Sequence, residues 1–288
     1  MSMVGTIKEI WRFPVKSMQG DTVARAEVSA QGVLGDRVWA MRDEVRREVQ
    51  WGKLYPALML CKARYRREPL AGSPAPVDIS FPDGETVGSD DPRIDEKLTA
   101  LIGRAARLWP LQPASNLDFY KRYKPDEEKF GQEMAAVFAR EGDEPLPDFA
   151  TFPEVLMEYV AVPGTFFDNE EINLMTTASL AHMQARNPGA DWDVRRFRPN
   201  FLIETVPGLE GLAENAWVGR KLAIGGLVLE ITMATPRCGM TVQPQDGLVY
   251  DKTILRTIVR EGAQCLGVGA HCLKAGSVAV GERVELLD

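Results

Sequence analysis

Histidine is scarce in this chain. His182 and His271 are its only two in 288 residues. A multi-histidine metal centre, which needs several such groups converging, is therefore a poor reading, and a histidine-based hydrolase is not expected either. Cysteine is sparse too. Cys61, Cys238, Cys265 and Cys272 are too few in a chain this long for a disulfide framework, so reduced thiols are expected. No apolar run approaches a membrane span, and the N-terminus lacks a charged-then-apolar signal pattern. The expectation is a soluble, cytoplasmic protein with no membrane partner. There is no excess of basic charge. A net charge of −7 and a pI near 5.2 argue against nucleic acid as the main partner, though not against a local basic pocket for a small anion. A phosphate-loop motif, a dinucleotide glycine fingerprint, internal repeats and low-complexity segments are all missing.

What is present is an ordinary apolar share, 45%, enough to bury a real core. The length suits one large domain or two modest ones. Short strand signals crowd the first third. Thr6 to Phe13, Val23 to Val28 and the Val77–Val87 stretch around Pro82-Asp83-Gly84 read as strands and a hairpin, suggesting a small β-barrel or curled sheet. Ile94, Leu98, Leu101 and Ile102 mark a helix that Gly103 can end. From Asn116 to Asp148 the chain turns charged and loop-like, with one helix at Phe130, Met134, Val137 and Phe138, and reads as a polar connecting segment. The second half opens with a strand at Ile172–Met175. A helix from Ala178 to Arg186 follows, which Thr176 and Thr177 can cap. A hairpin at Leu222–Met233, a short helix at Lys252–Val259 and strands at Ser277–Val280 and Arg283–Leu287 complete it.

Three clusters bear chemistry. Pro236 ends the strand before Arg237-Cys238-Gly239, so the thiol is expected on a loop, with Arg237 favouring its thiolate form. Lys16, Ser17 and Arg37 lie around turns and could hold a phosphate, although charges at turns are mostly just solvated. Arg198-Pro199-Asn200 pairs an anion grip with an amide able to read a heterocycle edge. Cys265, His271 and Cys272 match no zinc spacing and read as packing residues. His182, mid-helix, reads as a surface or packing residue.

In order along the chain, IWRFPVKS (10–17), GVLGDRVWAM (32–41), LMTTASLAHM (174–183), FRPNFLIE (197–204), WVGRKLAIGGLVLEI (217–231), TPRCGMT (235–241) and GSVAVGERVELL (276–287) are similar to the MOSC family. The resemblance is to its two-domain form with an N-terminal β-barrel, the layout of the amidoxime-reducing members. It implies a mixed, β-rich α+β fold. An N-terminal β-barrel-like domain (1–115) and a variable connecting segment (116–165) would precede a C-terminal MOSC β-barrel domain (166–288) with peripheral helices. It implies a molybdenum cofactor, a pterin with a terminal phosphate that purification can strip. Lys16, Ser17 and Arg37 match the phosphate-gripping positions, Thr176, Arg198 and Asn200 positions near the pterin, and Cys238 the molybdenum ligand, with Arg237 beside it. Pyridoxal phosphate is not expected. The implied activity is an oxidoreductase that reduces N-hydroxylated or N-oxygenated compounds. The alternatives are a sulfur carrier or sulfurtransferase with a Cys238 persulfide, and a cofactor-binding module without turnover. Two departures stand out. Gly269 takes the place of a tyrosine found in several relatives. No ferredoxin-like domain follows, so a separate donor of the ferredoxin or cytochrome b5 type, with a reductase, is expected.

Overall fold

The computed structural model describes residues 1–72, 74–123, 127–149 and 152–287; the side chains of 127–130 lie outside that description. In chain order the strands are β1 (Ser2–Arg12), β2 (Asp21–Val23), β3 (Arg25–Ser29), β4 (Gly32–Val33), β5 (Trp39–Asp43), β6 (Glu48–Val49), β7 (Lys62–Tyr65), β8 (Val77–Ser80), β9 (Thr86–Gly88), β10 (Ala106–Pro110), β11 (Ile172–Thr176), β12 (Phe201–Thr205), β13 (Lys221–Ile224), β14 (Leu227–Pro236), β15 (Cys265–Lys274), β16 (Gly276–Ala279) and β17 (Arg283–Leu287). The helices are α1 (Ile94–Ile102), α2 (Leu117–Tyr120), α3 (Glu127–Phe138), α4 (Thr177–Arg186) and α5 (Lys252–Glu261).

The fold is β-rich and centres on a closed seven-stranded barrel. Its order is β12-β11-β15-β14-β13-β17-β1, and β1 pairs back onto β12. Bulges in β1 let apolar residues three apart turn toward the same core. Val4, Ile7 and Ile10 of β1 face inward against Leu222, Leu229, Ile231, Val268 and Phe201, all buried. Burying a side chain of this size is worth about 1.5–3 kcal/mol. Gly5 permits the close seam: a Cβ there would sit 2.3 Å from the Glu204 carbonyl of β12. β11 and β12 run parallel, so the chain between them must cross over, and α4 makes that crossing.

Smaller three-stranded sheets surround the barrel: β10-β5-β6, β16-β3-β4 and β7-β8-β9. The last packs with α1 around Val77, Ile79, Leu98 and Leu108. Strand pairing joins the two ends of the chain. The first strand of the chain belongs to the same barrel as the last, and β3 pairs with β16. The expected polar connecting segment takes a different role. Phe119, Tyr120, Val137, Phe138 and Val160 are buried against Trp51 and Phe166 in a core of their own. Charges such as Asp118, Lys121 and Glu158 are exposed while the apolar face turns inward, and composition averaged over the window conceals that face.

Candidate functional site

The chain leaves β1 at Arg12, turns at Pro14, and brings Lys16 and Ser17 under the barrel rim. Ser17, Arg37 and Arg198 all have left-handed backbone, with φ of 67°, 51° and 53°. For residues with a side chain that conformation costs of order 1–3 kcal/mol, and it persists only where the surroundings impose it. Asp36 ties the segments around Arg37 together. It is buried, accepts the Phe13 N–H at 2.7 Å and the Asn200 amide at 3.0 Å, and pairs with the Arg37 guanidinium.

Lys16, Ser17, Arg37, Arg198, Arg237 and Cys238 all line one cavity of about 250 Å³. One side is cationic. Lys16 donates to the Phe166 carbonyl at 2.7 Å and pairs with the Asp168 carboxylate. Burial draws the Lys16 pKa down to about 8, against the pull of Asp168. Lys53 reaches the same carboxylate at 3.4 Å. Burial disfavours the Lys53 charge, but Asp168 and the Cys238 sulfur outweigh it and its pKa rises. Burial would raise Asp168, yet Lys16, Lys53 and Arg37 hold its carboxyl far below the usual carboxylate range. Ser17 Oγ accepts the Gly52 N–H at 2.8 Å. The reading of Lys16 as a solvated turn charge is thus corrected: it is 3% exposed.

Arg198 stacks 4.1 Å above the Phe13 ring and donates Nη1 to the Met18 carbonyl. Its Nη2 is sealed from solvent and makes no hydrogen bond. Burial first, then Arg37, lowers its pKa to about 9. A buried donor without an acceptor is costly, so this nitrogen marks a place for one. Arg237 is differently used. Its Nε and Nη1 donate to the carbonyls of Leu266 and Phe197 at 2.7 and 2.9 Å, bracing the cysteine loop against β15. Burial lowers its pKa to about 10, with the sulfurs of Cys238 and Cys265 opposing.

Cys238 stands two residues past Pro236, the last residue of β14, and precedes a single 3-10 turn, Gly239–Val242. It is half-buried on the cavity wall. Its carbonyl accepts the Thr241 N–H and hydroxyl, which fixes the turn. Cys61 lies in the core with its thiol pushed up to about 12 by burial; burial raises Cys265 and Cys272 as well.

Two expected residues are not on the cavity wall. Asn200 spends its amide on Asp36 and accepts the Asn173 N–H at 3.1 Å, so it positions Asp36 and hence Arg37 from behind. Thr176 is the cap of α4; its hydroxyl accepts the Ser179 N–H and donates to buried Glu214 at 2.6 Å. Of the residues read as packing, Cys272 is half-buried and packs against the barrel core, whereas His271 is exposed and paired with Glu171. His182 is half-buried on α4, within the range expected of it.

Residues 4–98 match the MOSC N-terminal beta barrel domain, and residues 163–285 match the MOSC domain. The chain belongs to the MOSC family. This MOSC chain is 27% identical to mitochondrial amidoxime reducing component 2 of Bos taurus, over 99% of its length and 84% of the relative's. To the human component 2 it is 27% identical, over 90% and 72%. Among solved structures, the YuaD protein of Bacillus subtilis aligns over 99% of this chain and 97% of its own, with a TM-score of 0.46 and 10% identity.

The MOSC cavity also contains residues that sequence reasoning missed. Lys53 and Asp168 sit in stretches without periodicity or motif and acquire meaning only by meeting. The opposite, apolar side comes from Val137, Phe138, Phe149, Phe152 and Leu156, within or beside the segment read as a connector.

Proposed function

We propose that this MOSC protein is a molybdenum-cofactor-dependent oxidoreductase that reduces N-hydroxylated or N-oxygenated small molecules. The observation that carries the reading is one cavity shared by a half-buried thiol, Cys238, and by Lys16, Arg37 and Arg198, with Arg198 Nη2 buried and unpaired. The residues suit the group. A phosphate-bearing pterin is an anion rich in acceptors; lysine gives it a point charge and arginine a planar fork. A thiolate is a soft ligand for a transition metal. The curated relatives are amidoxime-reducing components by name, which supports the substrate class.

Bound there, the cofactor would supply two-electron redox chemistry. The chain's own residues would do the rest. Lys16, Arg37 and Arg198 would hold the anionic end, Asn200 and Asp36 keep Arg37 in place, and Cys238 would ligate the metal. Arg237 braces the Cys238 loop. The aromatic side at Phe138, Phe149 and Phe152 receives the apolar part of a substrate and sheds water from it. The net reaction converts R–NH–OH, two electrons and two protons into R–NH2 and water. The electrons come from a separate donor of the ferredoxin or cytochrome b5 type.

Protein purified from a molybdate-supplied host should contain molybdenum in proportion to protein and reduce an amidoxime with a competent donor. Cys238→Ser should lose both metal retention and turnover. Reductase activity in protein free of metal and pterin would overturn the proposal. A cyanide-releasable sulfur on Cys238 would assign persulfide chemistry instead.

A further inference from the structure

The cavity wall carries a carboxyl that the reading above leaves unused. Glu170 lines the cavity just before β11. Its stem lies on the bare backbone of Gly269 in β15. A Cβ at residue 269 would stand 2.4 Å from Glu170 Cγ and 3.0 Å from its Cβ, so Glu170 holds this place only because position 269 has no side chain. Its Oε2 is sealed from solvent and has no hydrogen-bond partner among the described residues, yet lies 3.2 Å from His271 Nδ1. The same nitrogen meets the Glu171 carboxylate, and 46% of the His271 side chain is exposed. A continuous path of ionisable groups thus joins open solvent to the cavity wall.

The charges around this path suit proton traffic. Burial raises the Glu170 pKa, with His271 opposing and Glu171 adding to the rise. Burial disfavours the His271 charge, but Glu171, Glu170 and Glu230 outweigh it and hold the ring toward its protonated form. Asp168 and Arg237 on the same wall are committed elsewhere. Asp168 is held ionised by Lys16, Lys53 and Arg37, and Arg237 is bonded to backbone carbonyls.

We propose that His271 and Glu170 form a proton relay serving the cavity. The inference rests on the reductase reading. Reduction of R–NH–OH breaks the N–O bond, takes two electrons from the donor protein, and takes two protons to leave R–NH2 and water. Glu170, as the acid, releases a proton into the cavity and becomes a carboxylate. His271 imidazolium reprotonates it and is refilled from solvent. Two passes deliver the two protons of one turnover.

The two-histidine composition gives a direct test. Proton NMR of the chain, with only two histidines to assign, should show an imidazole titration that vanishes in His271→Ala. That one should have a raised pKa, and Glu170→Gln should bring it down. In cofactor-loaded protein, Glu170→Gln should lower kcat about 100-fold, the scale of a lost proton donor, with KM little changed. His271→Ala should lower kcat roughly 10-fold, more at high pH, and added imidazole should restore it, whereas Glu170→Gln should not respond. A Glu170→Gln protein with an unmoved His271 titration, or with normal kcat across pH, overturns the relay while the reductase reading stands. A loaded wild-type protein that reduces no N-hydroxylated compound overturns the reductase reading itself and the relay with it.

Discussion

Replacing Arg198 by methionine should make the empty protein more stable and a poorer binder of anions. Burial and the neighbouring Arg37 hold the Arg198 pKa at about 9 instead of 12.5. At 1.36 kcal/mol per pKa unit, keeping this guanidinium charged costs the folded state about 5 kcal/mol. Methionine removes that cost in a side chain of similar reach. It leaves the Met18 carbonyl without its donor, worth about 1–3 kcal/mol, and removes the cation from the Phe13 ring, worth about 2 kcal/mol when desolvated. The balance is about 1 kcal/mol of added stability, in line with other buried charges exchanged for apolar groups. Calorimetric melting of the two proteins without cofactor should show a rise of a few degrees. Titration with inorganic phosphate should show affinity reduced by roughly 10- to 150-fold, the loss of a charged hydrogen bond of about 1.5–3 kcal/mol. A lower melting temperature, or phosphate binding that does not change, would refute the view of Arg198 as a charge held in place for a ligand.

Phosphate binding to the empty protein should weaken as pH rises through about 8, where Lys16 loses its proton; Lys16→Arg should abolish that step in a calorimetric titration. The same group should make the empty protein gain stability between about pH 8 and 10.5, since in that window the unfolded chain binds the proton that the folded chain has released. Glu214 is buried under α4, and burial raises its pKa against the hydrogen bonds from Ser179 and Thr176. Its ionisation therefore costs the folded state stability as pH climbs above 4.5, so Glu214→Gln should be more stable than wild type at pH 7 and equal to it near pH 4 in denaturant melts. Gly269→Ala should destabilise the protein by about 1–3 kcal/mol in urea unfolding, because the new methyl group meets Glu170 Cγ at 2.4 Å.

Much of this molecule was written locally. The threonine before α4, the apolar face of α5 and the paired glycines between β13 and β14 each specify an element by short-range rules of side-chain period, capping and turn geometry. Local pattern also placed the thiol just beyond the end of β14, since Pro236 has no N–H to extend the ladder. What no window of sequence contains is which distant segments meet. Lys16 looks like a solvated turn charge until Phe166 and Asp168 close over it. Asn200 looks like a ligand-reading amide until Asp36 claims it. Lys53 and Asp168 carry no motif, and the apolar side of the cavity was hidden in a segment whose average composition is polar. Burial, ion pairing and pKa depend on contacts across the whole chain, and barrel closure by the first strand against the twelfth and the last fixed them here.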